Sequence, residues 1–260
     1  MELEYIKVFN NDSDYNDFIS QGGFPVPAVH MIEESWEINY HPEEIEEEEV
    51  VIPDANGYSY IDLGLPSGLK WAKCNIGTEK ETGYGLYFSW GEEVGYPDNK
   101  SGKNFEWSDY KHSSGTNKTL IKYNLDSSYG IVDNLTTLEL SDDAASVILG
   151  GSWRIPTNND YTEFLDNTTN QWTTKDGVNG RLFTSKINGN TLFFPAAGYS
   201  VKAGMGDLGV AGRYWSSSLD TSEVSWSNVQ ALRLYFDSSN CYVNGGARNS
   251  GFSIRGVIKI

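Results

Sequence analysis

The 260-residue chain is 38% hydrophobic and 13% aromatic, with 27 Gly, 8 Trp and 16 Tyr, and carries a formal net charge of −17. That length suits one large domain with a small companion, and the glycine and aromatic content predicts a turn-rich β protein more than a helical bundle. The acidity argues against sequence-independent binding to nucleic acid or anionic membranes, no apolar run approaches the ~20 residues that insert across a bilayer, and two distant cysteines, Cys74 and Cys241, form neither a disulfide framework nor a metal spacing.

The charge is lopsided. Residues 1–52 hold 14 of the 36 Asp and Glu against one Lys, a balance of −13, which leaves −4 for the rest. No signal peptide precedes the first charged residues, so a protein working outside the cell is expected either to leave by another route or to be longer than this sequence. Residues 2–9 alternate as a short strand. Asp12 or Ser13 caps a short helix with Tyr15, Phe18 and Ile19 on one face, ended by Gly22-Gly23. Val29 to Ile32 and Trp36 to Tyr40 predict a hairpin. Residues 1–42 therefore read as a small α+β mini-domain, marginal by itself and suited to docking on a larger assembly or a second copy. His30 and His41 have no metal-ligand spacing. The run Glu43 to Glu49 predicts a solvated, self-repelling linker over residues 43–55, because consecutive glutamates on an extended chain do not converge on a cation.

The large domain, residues 56–260, opens with a strand at Tyr60 to Leu63, a turn at Pro66-Ser67-Gly68 and a returning strand at Leu69 to Lys73. Residues 94–136 are polar and read as a long insertion anchored by Trp107 and Tyr110, with His112 as a surface histidine. Ser141 is expected to cap a helix with Asp142 and Asp143 in its first turn and Leu149-Gly150-Gly151 at its end. Thr157 caps a second helix, with Asp160 three residues on and Tyr161, Phe164 and Leu165 facing inward. Asn188-Gly189 predicts a hairpin between Arg181–Ile187 and Asn190–Phe194.

Six segments in this order carry a family resemblance: Tyr60 to Ala72, Tyr87 to Glu92, Trp153 to Thr157, Phe194 to Tyr199, Tyr214 to Ser217 and Gly251 to Arg255. Together they resemble the Fibrobacter succinogenes major paralogous domain family, found in surface and phage-encoded proteins of gut bacteria. The resemblance spans roughly residues 57–258. It implies an α+β, C-type-lectin-like fold of the formylglycine-generating-enzyme subclass, with two helices and irregular antiparallel sheets. Trp153, Trp215 and Arg255 fall in these motifs and are assigned to the scaffold.

The residues give little support to catalysis. Formylglycine-generating enzymes use a closely spaced cysteine pair near the C-terminal end, and Cys241 stands alone there. His112 is the sole histidine past the linker. Gly204-Met205-Gly206-Asp207 lacks the strand, helix and lysine of a phosphate loop. None of the tripeptides with which sugar-binding C-type lectins hold calcium occurs. No enzyme activity, cofactor or metal is expected.

What remains is the segment from Tyr214 to Arg255. Alternation puts Leu232, Leu234 and Phe236 on one face of a strand and Arg233 and Tyr235 on the other. The segment lacks lysine and is rich in Ser, Asn, Gly and Tyr with Trp and Arg, as paratopes are. It is similar to the variable region of proteins diversified by retroelements, the phage major tropism determinant being the type case, which closes on a Gly-Phe-Ser-Val/Ile-Arg-like motif. Leu219, Asp220, Ser222, Val224, Trp226, Asn228, Gln230, Arg233, Tyr235, Asn240, Tyr242, Asn244, Arg248 and Asn249 are the expected contacts. The function expected is display of a binding surface toward a macromolecular receptor, protein or surface glycan, on a phage virion or bacterial cell surface. A fixed-specificity adhesin or glycan-binding module is the alternative, and a solvated hairpin of ordinary turn residues is the plainest one.

Overall fold

The computed structural model describes residues 29–32, 35–38, 55–98, 100–222 and 227–260. The chain divides into two units, Met1–Val50 and Val51–Ile260. In the first, β1 (Val29–Ile32) and β2 (Ser35–Ile38) pair antiparallel, with Val29 opposite Ile38. The strand expected over 2–9, the helix after it and the acidic run lie outside the described residues.

The second unit is α+β, with two helices and several small antiparallel sheets. β3 (Tyr60–Ile61) and β4 (Leu69–Ala72) are joined through Gly68, whose φ of 77° suits a residue without a Cβ. Helix α1 (Ala144–Leu149) is capped by Asp143, which accepts from the Ser146 N–H. Ser141, the expected cap, lies instead in a 3₁₀ turn over Leu140–Asp142. Helix α2 (Asn158–Asn167) begins with the expected capping box of Thr157 and Asp160 and buries Tyr161 and Phe164. β5 (Thr168–Lys175), β6 (Val178–Ser185) and β7 (Thr191–Pro195) form one sheet. β8 (Tyr199–Val201) and β9 (Gly204–Gly206) form a ribbon. β10 (Gly212–Leu219), β11 (Gln230–Phe236) and β12 (Cys241–Ala247) make a meander, and β13 (Val257–Lys259) returns to pair with β4.

Two apolar clusters fill this unit. One gathers Phe88, Trp90, Trp153, Trp215 and Phe252; the other gathers Trp71, Tyr161, Phe164, Phe194, Tyr214 and Phe236. Three buried indoles find carbonyl acceptors: Trp90 on Ser216, Trp153 on Ala55 and Trp215 on Phe88, each within 2.8 Å. Such pairing makes burial of an indole N–H inexpensive. Arg255 is fully buried and acts as a strut: its guanidinium donates to Asn75 Oδ1 and to the carbonyls of Ala72, Lys73 and Phe193.

Residues 94–136 are woven in rather than laid over the surface. Phe105, Tyr110, Leu120 and Tyr123 are buried, and Trp107 is half-buried with its ring 5.5 Å from that of Tyr110. Lys103 is buried with Glu92, 2.7 Å away. His112 is also buried, contrary to expectation, because Nε2 meets the Gly91 carbonyl at 2.8 Å between the rings of Tyr110 and Tyr123. Burial lowers its pKa.

Candidate binding surface

The β10–β11–β12 meander presents two unlike faces. Tyr214, Leu234 and Phe236 are fully buried in the second cluster. The opposite face carries two cross-strand rows: Arg213, Tyr235 and Tyr242 in one, and Trp215, Arg233 and Asn244 in the next. Period-two alternation produces this division. Trp215 is sealed by Phe252, whose ring lies 4.3 Å away. The others stand on or near the surface.

Tyr242 is 44% exposed, and its ring is 5.3 Å from that of half-buried Tyr235 at 43°. The Tyr235 hydroxyl donates to Asp237 Oδ2 at 2.8 Å, and Asp237 also accepts from the N–H groups of Ser239 and Asn240. Burial alone would raise the Asp237 carboxyl, but these donors outweigh it and hold the pKa down at about 2. The β11–β12 turn is therefore fixed by an ionised carboxylate, and it holds the Tyr235 ring in place. Half-buried Arg233 lies with its guanidinium 4.6 Å above the Phe252 ring, and its Nε donates to Asn244 Oδ1. Asn240 and Ser222 are exposed, and Asn228, Gln230 and Asn244 are half-buried.

Three expected contacts are inside. Leu219 and Ala231 are paired, yet four residue steps on β10 from Trp215 to Leu219 oppose two on β11. This bulge turns Leu219 into the first core cluster, where its N–H donates to the Thr136 carbonyl. Asp220 is buried because it closes the connection: its N–H donates to the Gln230 carbonyl and its carboxylate accepts from the Ser222 N–H. Arg248 has no exposed surface; Nη1 donates to the Tyr123 carbonyl and the guanidinium lies 5.7 Å from the rings of Trp90 and Tyr110. Asn249 is half-buried and donates to the Phe105 carbonyl at 2.9 Å. Tyr123 and Phe105 are bulky residues at φ 57° and 55°, a strained region for them. Arg248 and Asn249 thus brace strained backbone of the insertion. Val224 and Trp226 lie outside the described residues.

Two residues join the surface that sequence reasoning passed over. Arg213 sits between the rings of Tyr199 and Tyr235, 4.4 and 5.3 Å from their centroids, and pairs with Asp207 at 2.6 Å. Its position one residue before buried Tyr214 was the available signal. Tyr199 ends the Phe194–Tyr199 segment, and with Arg213, Gln230, Arg233 and Phe252 it lines a shallow cavity of 260 Å³.

Cys74 and Cys241 are free. Burial raises both thiols, that of Cys241 to about 11. Among the described residues, no group of three or more His, Cys, Asp or Glu is placed to hold a metal ion, and no helix is long and apolar enough to cross a membrane. Comparison with family models, curated proteins and solved structures returned no match to this chain.

Proposed function

We propose that residues 56–260 are a non-enzymatic, C-type-lectin-like display module whose outer β10–β12 face binds a macromolecular receptor. The observation that carries this reading is the Tyr235–Tyr242 pair beside Arg233, Asn240 and Asn244, on a sheet whose other face is sealed by Leu234 and Phe236. Rigid amphipathic rings surrounded by adaptable amides are what interface energetics favour. Thiols raised by burial are poor nucleophiles, which weighs against cysteine chemistry. Residues 1–42 attach the module to a phage particle or bacterial surface in this scheme, and the display strands are diversified at the gene level.

The test is capture of the labelled full chain by a panel of intact gut-bacterial cells. Tyr235→Ala/Tyr242→Ala should lose at least about ten-fold in binding, while its midpoint of thermal unfolding moves by only a few degrees. Undiminished capture would refute the surface. Adenine-directed differences between the gene's 3′ end and a nearby template repeat would establish diversification. Exposure of the Tyr242 ring favours a second reading, a fixed sugar-stacking platform; one sharp hit on a glycan array would select it.

A further inference from the structure

We infer that the cavity between Tyr199 and Arg233 is a subsite for a carboxylate side chain of a protein receptor; this rests on the display reading above. Two guanidiniums reach the cavity, from β10 and β11. Arg213 is paired with Asp207 through Nη2, but its Nη1 is buried without an acceptor. Arg233 touches no carboxylate among the described residues; it is held by the Phe252 ring and by Asn244. Burial, and then the like charge of Arg213, bring its pKa down to about 10, so it remains cationic at neutral pH. Asp220 is the other acid nearby. Its Oδ2 lies 2.6 Å from where a Cβ on Gly245 would sit, and its Oδ1 is engaged by the Ser222 N–H. Asp207 and Asp220 balance the two guanidiniums in charge, but Arg213 Nη1 and the Arg233 guanidinium keep N–H donors that neither acid engages.

The planar guanidinium fork matches a carboxylate, and a half-buried cation is relieved of its desolvation cost when such an anion arrives. The cavity, at 260 Å³, is smaller than the roughly 300–1,000 Å³ that encloses a free small molecule, so it fits the tip of a larger partner. Tyr235, Tyr242 and Asn244 beside it make a surround typical of protein recognition, which favours an acidic side chain over an acidic glycan.

The test follows the Arg Nε–Hε resonances of the full chain by NMR at fixed ionic strength. The probe is the α-amide of N-acetylglutamate, with its glutamine counterpart as control. Saturable shifts at Arg213 and Arg233, with Kd on the order of 1–10 mM, and at least about ten-fold weaker binding of the glutamine compound are expected. Arg233→Gln should abolish saturation. Arg233→Lys, which keeps the charge without the fork, should weaken it several-fold, and it carries the test if the glutamine variant folds poorly. No saturation, or saturation unchanged in Arg233→Gln and Arg233→Lys, overturns the subsite. Tighter binding of glucuronate overturns the protein assignment, and tighter binding of inorganic phosphate overturns the carboxylate. If the titration fails while cell capture still depends on Tyr235 and Tyr242, this inference alone falls. If glutamate binds but capture ignores both tyrosines, the display reading falls and takes the protein receptor with it, leaving a carboxylate-binding cavity alone.

Discussion

Leu234 has no exposed surface and sits in the same cluster as Tyr214 and Phe236, whose rings stack at 5.9 Å. Leu234→Ala should cost about 3 kcal/mol or more by leaving a cavity under the β10–β12 sheet, measured by chemical denaturation. Asp142 supplies a pH test. Burial would raise its carboxyl, but hydrogen bonds from Lys111, Lys122 and Tyr123 outweigh burial and hold it well below the ordinary 3.8. A depressed folded pKa contributes stability above the unfolded value and loses it as pH falls through the folded one. Unfolding free energy should therefore drop below about pH 4. Asp142→Asn should be less stable at pH 7 but show a flatter acid limb; parallel acid limbs would clear Asp142 of that role. At Gly246 a Cβ would meet the Phe252 ring at 2.6 Å and Arg233 at 3.0 Å. The missing side chain is what lets the Arg233 guanidinium sit over the Phe252 ring.

At the scale of elements, Thr157→Ala should remove the α2 cap and cost about 1 kcal/mol, read by thermal melting. That helix was legible because its capping signal is local: two side chains satisfy each other's backbone within one turn. The Leu234–Phe236 alternation and the Leu149-Gly150 stop were legible for the same reason. β5 was not. Of its eight residues only Thr168 is buried, so it carries no period-two apolar pattern to detect. Asp176-Gly177, with φ of 49° and 77°, was the readable clue, since both residues take the left-handed conformation that a tight hairpin demands. The bulge in β10 was invisible, because a run of three serines does not reveal that two extra residues are looped out. That is why Leu219 and Asp220 were expected outside. Arg248 was misplaced by its type: arginine is a common interface residue, and only tertiary packing between Trp90 and Tyr110 shows this one inside.

Across the whole second unit, the insertion and the β10–β12 meander are mechanically linked. Arg248 and Asn249 hold the carbonyls of Tyr123 and Phe105 from the loop that follows β12. Arg248→Met should therefore speed amide hydrogen exchange in residues 103–133, well away in sequence from the substitution, while α2 stays protected. Exchange unchanged in the insertion would show that the brace is dispensable.

β13 comes after β10, β11 and β12, yet it pairs with β4, near the start of the unit, placing Val257 opposite Trp71. A polypeptide emerging from the ribosome cannot close that sheet until the whole of β10 to β12 has been synthesised. A premature stop or frameshift anywhere in β10 to β12 would leave β4 without this partner and Trp71 poorly covered, and proteases would be expected to remove the product. The fold therefore acts as a check on the reading frame through β10 to β12, since only chains read through in frame complete this sheet.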